Sequence, residues 1–236
     1  MVAHTQETVR NQLLSTISPE DFTALHEHLE PVGFQLRQVL VKNNEPIEHV
    51  YFPEEGLLSM TLGQHDKIEV AMVGREGMFG TPVLLGVRST PLDCFVQLAG
   101  SGLRMNAEIL EGLLDERPSL RQMLLRFAHI LHVQTATTAF ANVEHNVETR
   151  LARWLLMCHD RIDGNDILLT HEFLSIMLGV RRAGVTTATH VLEGRGAIRA
   201  ERGLITVLNR GRLEDLSGGS YGLPEAEHAR LIVRGE

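Results

Sequence analysis

The rhythm of apolar and polar residues changes several times along this chain. Val9, Leu13, Leu14 and Ile17, then Phe22, Leu25 and Leu29, return every three or four positions, so residues 5–30 read as helical. From Pro31 to about Met105 short runs of β-formers (FQLRQVLV, HVYFP, GLLSMTL, KIEVAMV, PLDCFVQLA, GLRMN) are separated by Gly, Pro, Asn and Asp. Strands at this spacing predict an all-β sandwich or barrel rather than a βαβ unit. Helical spacing resumes over Ala107–Glu116, is stopped by Pro118, and then holds from about Ser119 to Asn142.

That long helix is apolar over a wide arc: Met123, Leu124, Leu125, Phe127, Ala128, Ile130, Leu131 and Val133. Within it Leu124, Ala128, Leu131, Thr135, Thr138 and Asn142 step alternately by four and three, the spacing of a two-helix seam. One partner rarely buries so wide an arc, so the stripe predicts a homodimer, the rest of the arc lying on the barrel; the bland alternative is a single helix covering its own core. Asn142–Val143–Glu144–His145 reads as a hinge. A further helix follows over about Val147–Arg161, with Leu151, Trp154, Leu155 and Cys158 apolar, ending at Asp163–Gly164–Asn165.

The stretch LTHEFLSIMLGVRRAGVTTATHVLEGRGAI, residues 169–198, holds two short helical patterns around a glycine. Thr170 is placed to cap a helix over His171–Leu178, with Glu172 in its favourable first turn and Leu174, Met177 and Leu178 inward. Gly179 stands where a tight turn needs positive φ. Val180 is an apolar plug, and a second helix over about Arg182–Glu193 buries Val185, Ala188 and Leu192. Then comes IRAERGLITVL, a hairpin turning at Arg202–Gly203. Two helices about a tight turn with a β wing make a winged helix-turn-helix, whose second helix enters the DNA major groove. Arg181, Arg182, Ala183, Thr186, Thr187 and His190 would face that groove. Arg182 suits a guanine, the Thr methyls suit thymine, and the Thr hydroxyls suit phosphate. Thr170 and Arg202 are placed for backbone phosphates, which fix register but not sequence. A plain αα-hairpin packed on another element is the bland alternative; the arginine-rich polar face and the wing argue against it.

Charge sharpens this reading. The chain of 236 residues carries a formal charge of −8, which as a whole disfavours nucleic acid. Between Thr170 and Leu213, however, seven arginines stand against three acids, leaving the segment four charges positive. Arginine makes bidentate contacts with phosphate and with guanine edges that lysine cannot. An apolar content of 43% is that of an ordinary globular protein. No apolar run approaches a membrane span and no signal-peptide core opens the chain, so a cytoplasmic protein with no membrane partner is expected. Cys94 and Cys158 are far apart and outside any ligand spacing, which excludes a cysteine-built zinc or iron–sulfur site. Cys94, in DCFVQL, reads as a buried apolar residue rather than a redox switch.

These segments together resemble the catabolite-activator/fumarate-nitrate regulator family, Crp/Fnr, most closely in EFLSIMLGVRRAGVTTATHVLE and NVETRLARWLL. The likeness runs from about residue 20 to 213. It implies an α+β fold: a cyclic-nucleotide-binding-like β jelly roll (residues 1–118), a dimerisation helix and hinge (119–145) and a C-terminal winged helix-turn-helix (146–216). The remaining tail, 217–236, lacks periodicity and is expected to be mobile. The resemblance further implies a homodimer on a near-palindromic double-stranded operator, regulating transcription, with RNA polymerase as a further partner, and no enzymatic activity. Arg182 matches the family's guanine-reading arginine. Ala183 stands where well-known members carry a base-reading Glu, and Thr187 where the catabolite activator carries an Arg, so a different operator is implied.

The family's cyclic-AMP site joins a Gly-Glu element, which holds the ribose, to an Arg-Ser pair, which holds the phosphate. In VGREGMFGTPVLLGVRST Gly80 matches the Gly, Thr81 replaces the Glu, and Arg88 and Ser89 resemble the pair; Thr135 falls near where a Thr meets adenine. A hydroxyl is a weaker acceptor than a carboxylate. The anion half of the pocket is therefore present and the ribose half is not. Cyclic AMP is disfavoured; another small-molecule effector, or none, remains open, and Arg88 also reads as a surface arginine paired with an acid. No cofactor is assigned. His26 and His28 (HEHLE) lie on different faces of a helix. His129 and His132, three apart, could share a ligand across a dimer, but solvated or packed histidine is the stronger reading of both pairs. A cupin-type metal site needs clustered His and Glu on neighbouring strands, and the strand region offers only His49 and His65. No Walker loop, nucleophile elbow or dinucleotide fingerprint is present. A constitutive DNA binder with a vestigial barrel is the main rival to an effector-gated regulator.

Overall fold

The computed structural model describes residues 5–63 and 67–235; His65 and the outermost ends of the first and last expected segments lie outside them. The chain forms two compact units. Unit 1 comprises Met1–Met60, Met72–His132 and Ala226–Glu236; unit 2 comprises Thr61–Ala71 and Val133–Glu225.

Unit 1 opens with two helices, not one. Helix α1 (Gln12–Thr16) ends at Ile17, and α2 (Pro19–His26) restarts because Ser18 caps it through Asp21 N–H and Pro19 occupies its first position. Leu13, Leu14, Ile17, Phe22 and Leu25 are buried, as their spacing requires. The strands follow: β1 (Glu30–Phe34), β2 (Val39–Val41), β3 (His49–Pro53), then β4 (Leu57–Leu62) and β5 (Ile68–Val73), whose residues 61–62 and 68–71 belong to unit 2. A short α3 (Thr81–Leu84) precedes β6 (Asp93–Leu98) and β7 (Gly100–Asn106).

Two sheets result, ordered β1-β7-β3 and β2-β6-β4-β5. In the first, β7 pairs antiparallel with both neighbours, Leu103 facing Pro31 on one side and Phe52 on the other. Strand β1 was not legible as a separate strand, because Pro31 and Gly33 disguise it. It tolerates them as an edge strand. The core holds Val50, Phe52, Leu57, Leu58, Met72, Val73, Cys94, Val96, Leu103 and Met105. Helix α4 (Ala107–Glu116) is capped by Asn106. Helix α5 then runs from Pro118, which begins it, to Glu144.

Unit 2 contains α6 (Val147–His159), β8 (Asp166–Leu168), α7 (His171–Leu178), α8 (Arg182–Gly194), β9 (Ile198–Glu201), β10 (Leu204–Val207) and α9 (Arg210–Leu216). Its sheet is ordered β8-β10-β9. Every residue of α6 from Leu151 to Cys158 is buried. Asn142, Val143 and Glu144, expected in the hinge, are helical; the break falls at His145–Asn146, where Asn146 caps α6 through Thr149 N–H at 3.0 Å.

The C-terminal tail departs from the expectation of a mobile segment. Helix α10 (Leu223–His228) leads into one π-helical turn, Ala229–Val233. Ser217 and Ser220 are buried in unit 2, and Leu231 and Ile232 in unit 1. Two apolar residues at the far end of a polar segment carry little periodic signal. Among the described residues no helix is long and apolar enough to cross a membrane.

Candidate nucleic-acid interface

The geometry of unit 2 follows from a few local choices. The Thr170 hydroxyl accepts from Phe173 N–H at 3.2 Å and starts α7. Gly179 closes it in the left-handed conformation (φ +61°), its amide returning to the Ile176 carbonyl at 3.2 Å. Arg150 of α6 donates to the carbonyl of Leu178, the last residue of α7, and so holds the turn from below. On α8, Val185, Ala188, Thr189 and Leu192 are buried, and the opposite face is open. That open face holds Arg181, Arg182, Ala183, Thr187 and His190, all exposed, with Thr186 half-buried. The wing turns at Arg202–Gly203, Gly203 having φ +78°, and exposes Arg202. The expected DNA-facing residues of α8 thus fall on one face, with Thr170 exposed at the start of α7.

Two features add to the sequence reading. Among the described residues the side chains of Arg181, Arg182 and Arg202 make no hydrogen bond or ion pair. Several other arginines are engaged, Arg10 by Glu55, Arg104 by Glu30 at 2.9 Å, Arg210 by Asp160 at 2.8 Å and Arg199 by Glu201 at 3.2 Å, while Arg37, Arg195 and Arg234 are likewise without such a partner. No side chain caps α8, so the amides of Arg182 and Ala183 at its start are left to solvent or to an anion, that of Gly184 returning to the Arg181 carbonyl at 2.9 Å. The second feature corrects an expectation. Thr186 donates its hydroxyl to the Arg182 carbonyl (3.1 Å) and Thr187 to that of Ala183 (3.2 Å). Each hydroxyl has one proton, so neither has a donor left for phosphate. Thr186 also meets His171 Nδ1 at 3.2 Å.

Sequence reasoning missed the supporting residues on α6. Trp154 donates its indole N–H to Glu69 at 2.7 Å within unit 2. Arg153, buried, donates to the Ser220 carbonyl at 3.0 Å and to Thr138 at 3.2 Å; burial pulls its pKa down to about 10. A cavity of about 20 Å³, the size of one water, lies among Glu69, Arg150, Arg153 and Trp154. The available signal was a pair of arginines, Arg150 and Arg153, flanking the apolar run of this helix.

The expected effector pocket is assembled only in part. Gly80 has φ +125°, and a Cβ there would come within 2.4 Å of Val50 Cγ1, so glycine is required for the fold itself. Thr81 begins α3, and Ser89 pairs through its backbone with Pro46. Arg88, however, is held by two carboxylates of α4: Nε at 2.9 Å from Glu111 and Nη1 at 2.7 Å from Glu108. The hydrogen bond from Arg88 holds the Glu111 carboxyl below the usual carboxylate range. The anion-binding half is thus neutralised from within the chain. Thr135 is half-buried on α5 in unit 2.

On α5 the expected seam residues differ in burial: Ala128, Thr135 and Thr138 are half-buried and Asn142 is exposed. Leu124 is 0% exposed and Leu131 9%, both buried by their own chain. The exposed stripe lies one position on, at Leu125, His129, His132, Ala136, Ala139 and Val143, which keep the same alternation of four and three. Leu125 is 37% exposed, Val143 89%, and neighbouring Phe140 58%. His129 stands 3.5 Å from Glu227. His26 packs on the Phe22 ring, and no group of three or more metal-ligating side chains occurs among the described residues.

Residues 149–216 match the family model of the Crp-like helix-turn-helix domain. No curated protein matches the chain in sequence. Several solved structures share its fold. A transcriptional regulator of the Crp/Fnr family from Eubacterium rectale is 16% identical, with TM-score 0.68, over 88% of this chain and 98% of that one. FixK2 from Bradyrhizobium japonicum is 18% identical, with TM-score 0.69, over 80% of this chain and 96% of that one. The c-di-GMP-responsive global regulator CLP of Xanthomonas campestris is 13% identical, with TM-score 0.63, over 81% of this chain and 100% of that one.

Proposed function

Residues 149–216 are a Crp-like helix-turn-helix domain on a chain with the fold of Crp/Fnr regulators, and from this premise we propose a dimeric, sequence-specific DNA-binding regulator of transcription. One observation carries the reading. On a protein of net charge −8, the arginines left without a partner include Arg181, Arg182 and Arg202, at the start of α8 and on the wing. Arg182 reads a guanine; Arg181, Arg202 and the first-turn amides of α8 hold phosphates. Thr186 and Thr187, their hydroxyl protons donated to the helix, offer methyl groups to thymine. His190 and Ala183 complete the reading face.

Two copies pair along the exposed stripe of α5, setting two recognition helices about 34 Å apart in successive major grooves. The break at His145–Asn146 lets an effector bias that spacing by a population shift between two arrangements of α5 and α6. The effector is a small molecule other than cyclic AMP, since Thr81 offers no carboxylate to a ribose and Arg88 is already paired. A second reading, constitutive binding with a ligand-free barrel, is favoured by that same Arg88–Glu108–Glu111 pairing.

The test is fluorescence anisotropy with duplex DNA from upstream of the protein's own gene, titrated with salt, with and without cyclic AMP or cyclic di-GMP. Tight, salt-steep binding of that DNA over random DNA is expected, unchanged by cyclic AMP. Equal affinity for both DNAs would remove sequence-specific regulation. Binding that no nucleotide alters would favour the constitutive reading.

A further inference from the structure

The C-terminal segment builds one wall of a groove on α5. This groove, about 540 Å³ in unit 1, is lined by Pro118, Gln122, Leu125, Arg126, Arg230 and Leu231, among others. The last two come from the π-helical turn at the chain's end. That turn is fixed by several independent contacts. Arg126 donates to the Leu231 carbonyl at 3.1 Å; His228 meets the Glu76 carbonyl at 3.0 Å; Leu231 and Ile232 are buried. Val233, on the same turn, is 65% exposed and apolar.

We infer that this segment is part of the dimer interface, the groove it walls being filled by a second copy of the chain. The inference rests on the dimer reading above and specifies what builds the seam. Two observations select the occupant. The first is continuity: Leu125 and His129 line the groove and are also the first two members of the exposed stripe, which runs on to Val143 with the spacing of a helix–helix seam. The second is charge. The cations of the groove are already compensated by the same chain: Arg121 pairs with Asp115, Arg230 with Glu227 at 2.8 Å, and His129 lies 3.5 Å from Glu227. Arg126 is spent on a carbonyl. An anionic ligand would find no free cation there, whereas a surface with its charges internally paired meets its own copy without like-charge repulsion. The stems of Arg121 and Arg230 then serve as apolar walls.

Sedimentation equilibrium of the full-length chain and three variants tests this. Leu125→Asp puts a charge in the stripe. Arg230→Ala removes a groove wall without touching the buried Leu231 and Ile232. A stop after Ala229 removes the wall entirely. The expected order is a dimer for the native chain, a roughly tenfold weaker dimer for Arg230→Ala, a weaker one still for the truncation, and a monomer for Leu125→Asp. Circular dichroism checks that each variant folds, and Arg230→Ala remains informative if the truncation does not. A native-strength dimer in Arg230→Ala, with Leu125→Asp monomeric, overturns the role of the segment and leaves the dimer standing. A native chain that is monomeric throughout removes the dimer reading itself.

Discussion

Replacing Arg202 by alanine isolates one charge in one place. Its side chain is exposed on the turn between β9 and β10 and makes no ion pair among the described residues, so its loss disturbs no internal contact. If it neutralises one phosphate, a dimer loses two such contacts, and the slope of log affinity against log salt shrinks by about 1.8. Over a fourfold rise in salt, from about 50 to 200 mM, that compounds to a roughly twelvefold difference in how steeply the two proteins lose affinity. The assay is anisotropy on specific and random duplexes, with the loss expected alike on both, because a phosphate contact carries no sequence. The control is the double variant Arg199→Gln with Glu201→Gln, which removes a neighbouring ion pair at 3.2 Å without changing net charge and should leave the slope as it is. If Arg202→Ala keeps the native slope, the wing does not touch the backbone and the proposed docking geometry is wrong.

Arg182→Ala should instead cost about 1–3 kcal/mol on the preferred site and relax selection at one base pair; equal loss on random DNA would refute its assignment to guanine. Gly179→Ala places a Cβ at φ +61°, a strain of roughly 1–2 kcal/mol. The added contact, 3.1 Å from the end of Ile68, is with the movable tip of a side chain and adds little. For a unit of this size each kcal/mol lowers the melting temperature by about 4–8 °C, so a variant melting with the native protein would deny the left-handed turn. Glu111 has its carboxyl lowered by Arg88. The stabilisation from that pair is therefore complete above the ordinary carboxylate pKa and disappears as pH falls through the lowered value. An NMR titration of Glu111 should move up in Arg88→Ala; an unmoved midpoint would show the pair to be absent in solution.

Apolar periodicity carried the elements well. The β3 run HVYFP and the helix His171–Leu178 begin and end where their patterns do, because alternation, a Thr cap and a Gly stop all agree there. Where local signals conflict, the pattern misleads. Ser18 and Pro19 restart a helix that the spacing alone would continue. Strand β1 is hidden by Pro31 and Gly33, permitted only because its outer edge is unpaired. On α5 a helix apolar over a wide arc does not declare which part its own chain covers, and Leu124 and Leu131 of the expected stripe are buried within it. The exposed polar face of α8 was legible, since residue type and spacing suffice to place Arg182 and Thr187 on one side. Their partners were not. That Arg88 is bound by Glu108 and Glu111, some twenty residues on, or that Thr186 gives its proton to its own helix, is a property of the folded chain and not of any local pattern.

Helix α8 divides its work between two faces that share no side chain. Val185, Ala188, Thr189 and Leu192 are buried in unit 2; the side chains of Arg181, Arg182, Ala183, Thr187 and His190 are exposed, and of these only Thr187 is tied back, to its own helix. Substitutions on such a surface typically change stability by no more than about 0.5 kcal/mol. A lineage carrying this domain can therefore exchange its outer residues one at a time without passing through an unfolded ancestor. Descendants of one such protein can come to govern different sets of genes while keeping the same scaffold, the inherited part being the packing and the variable part the vocabulary.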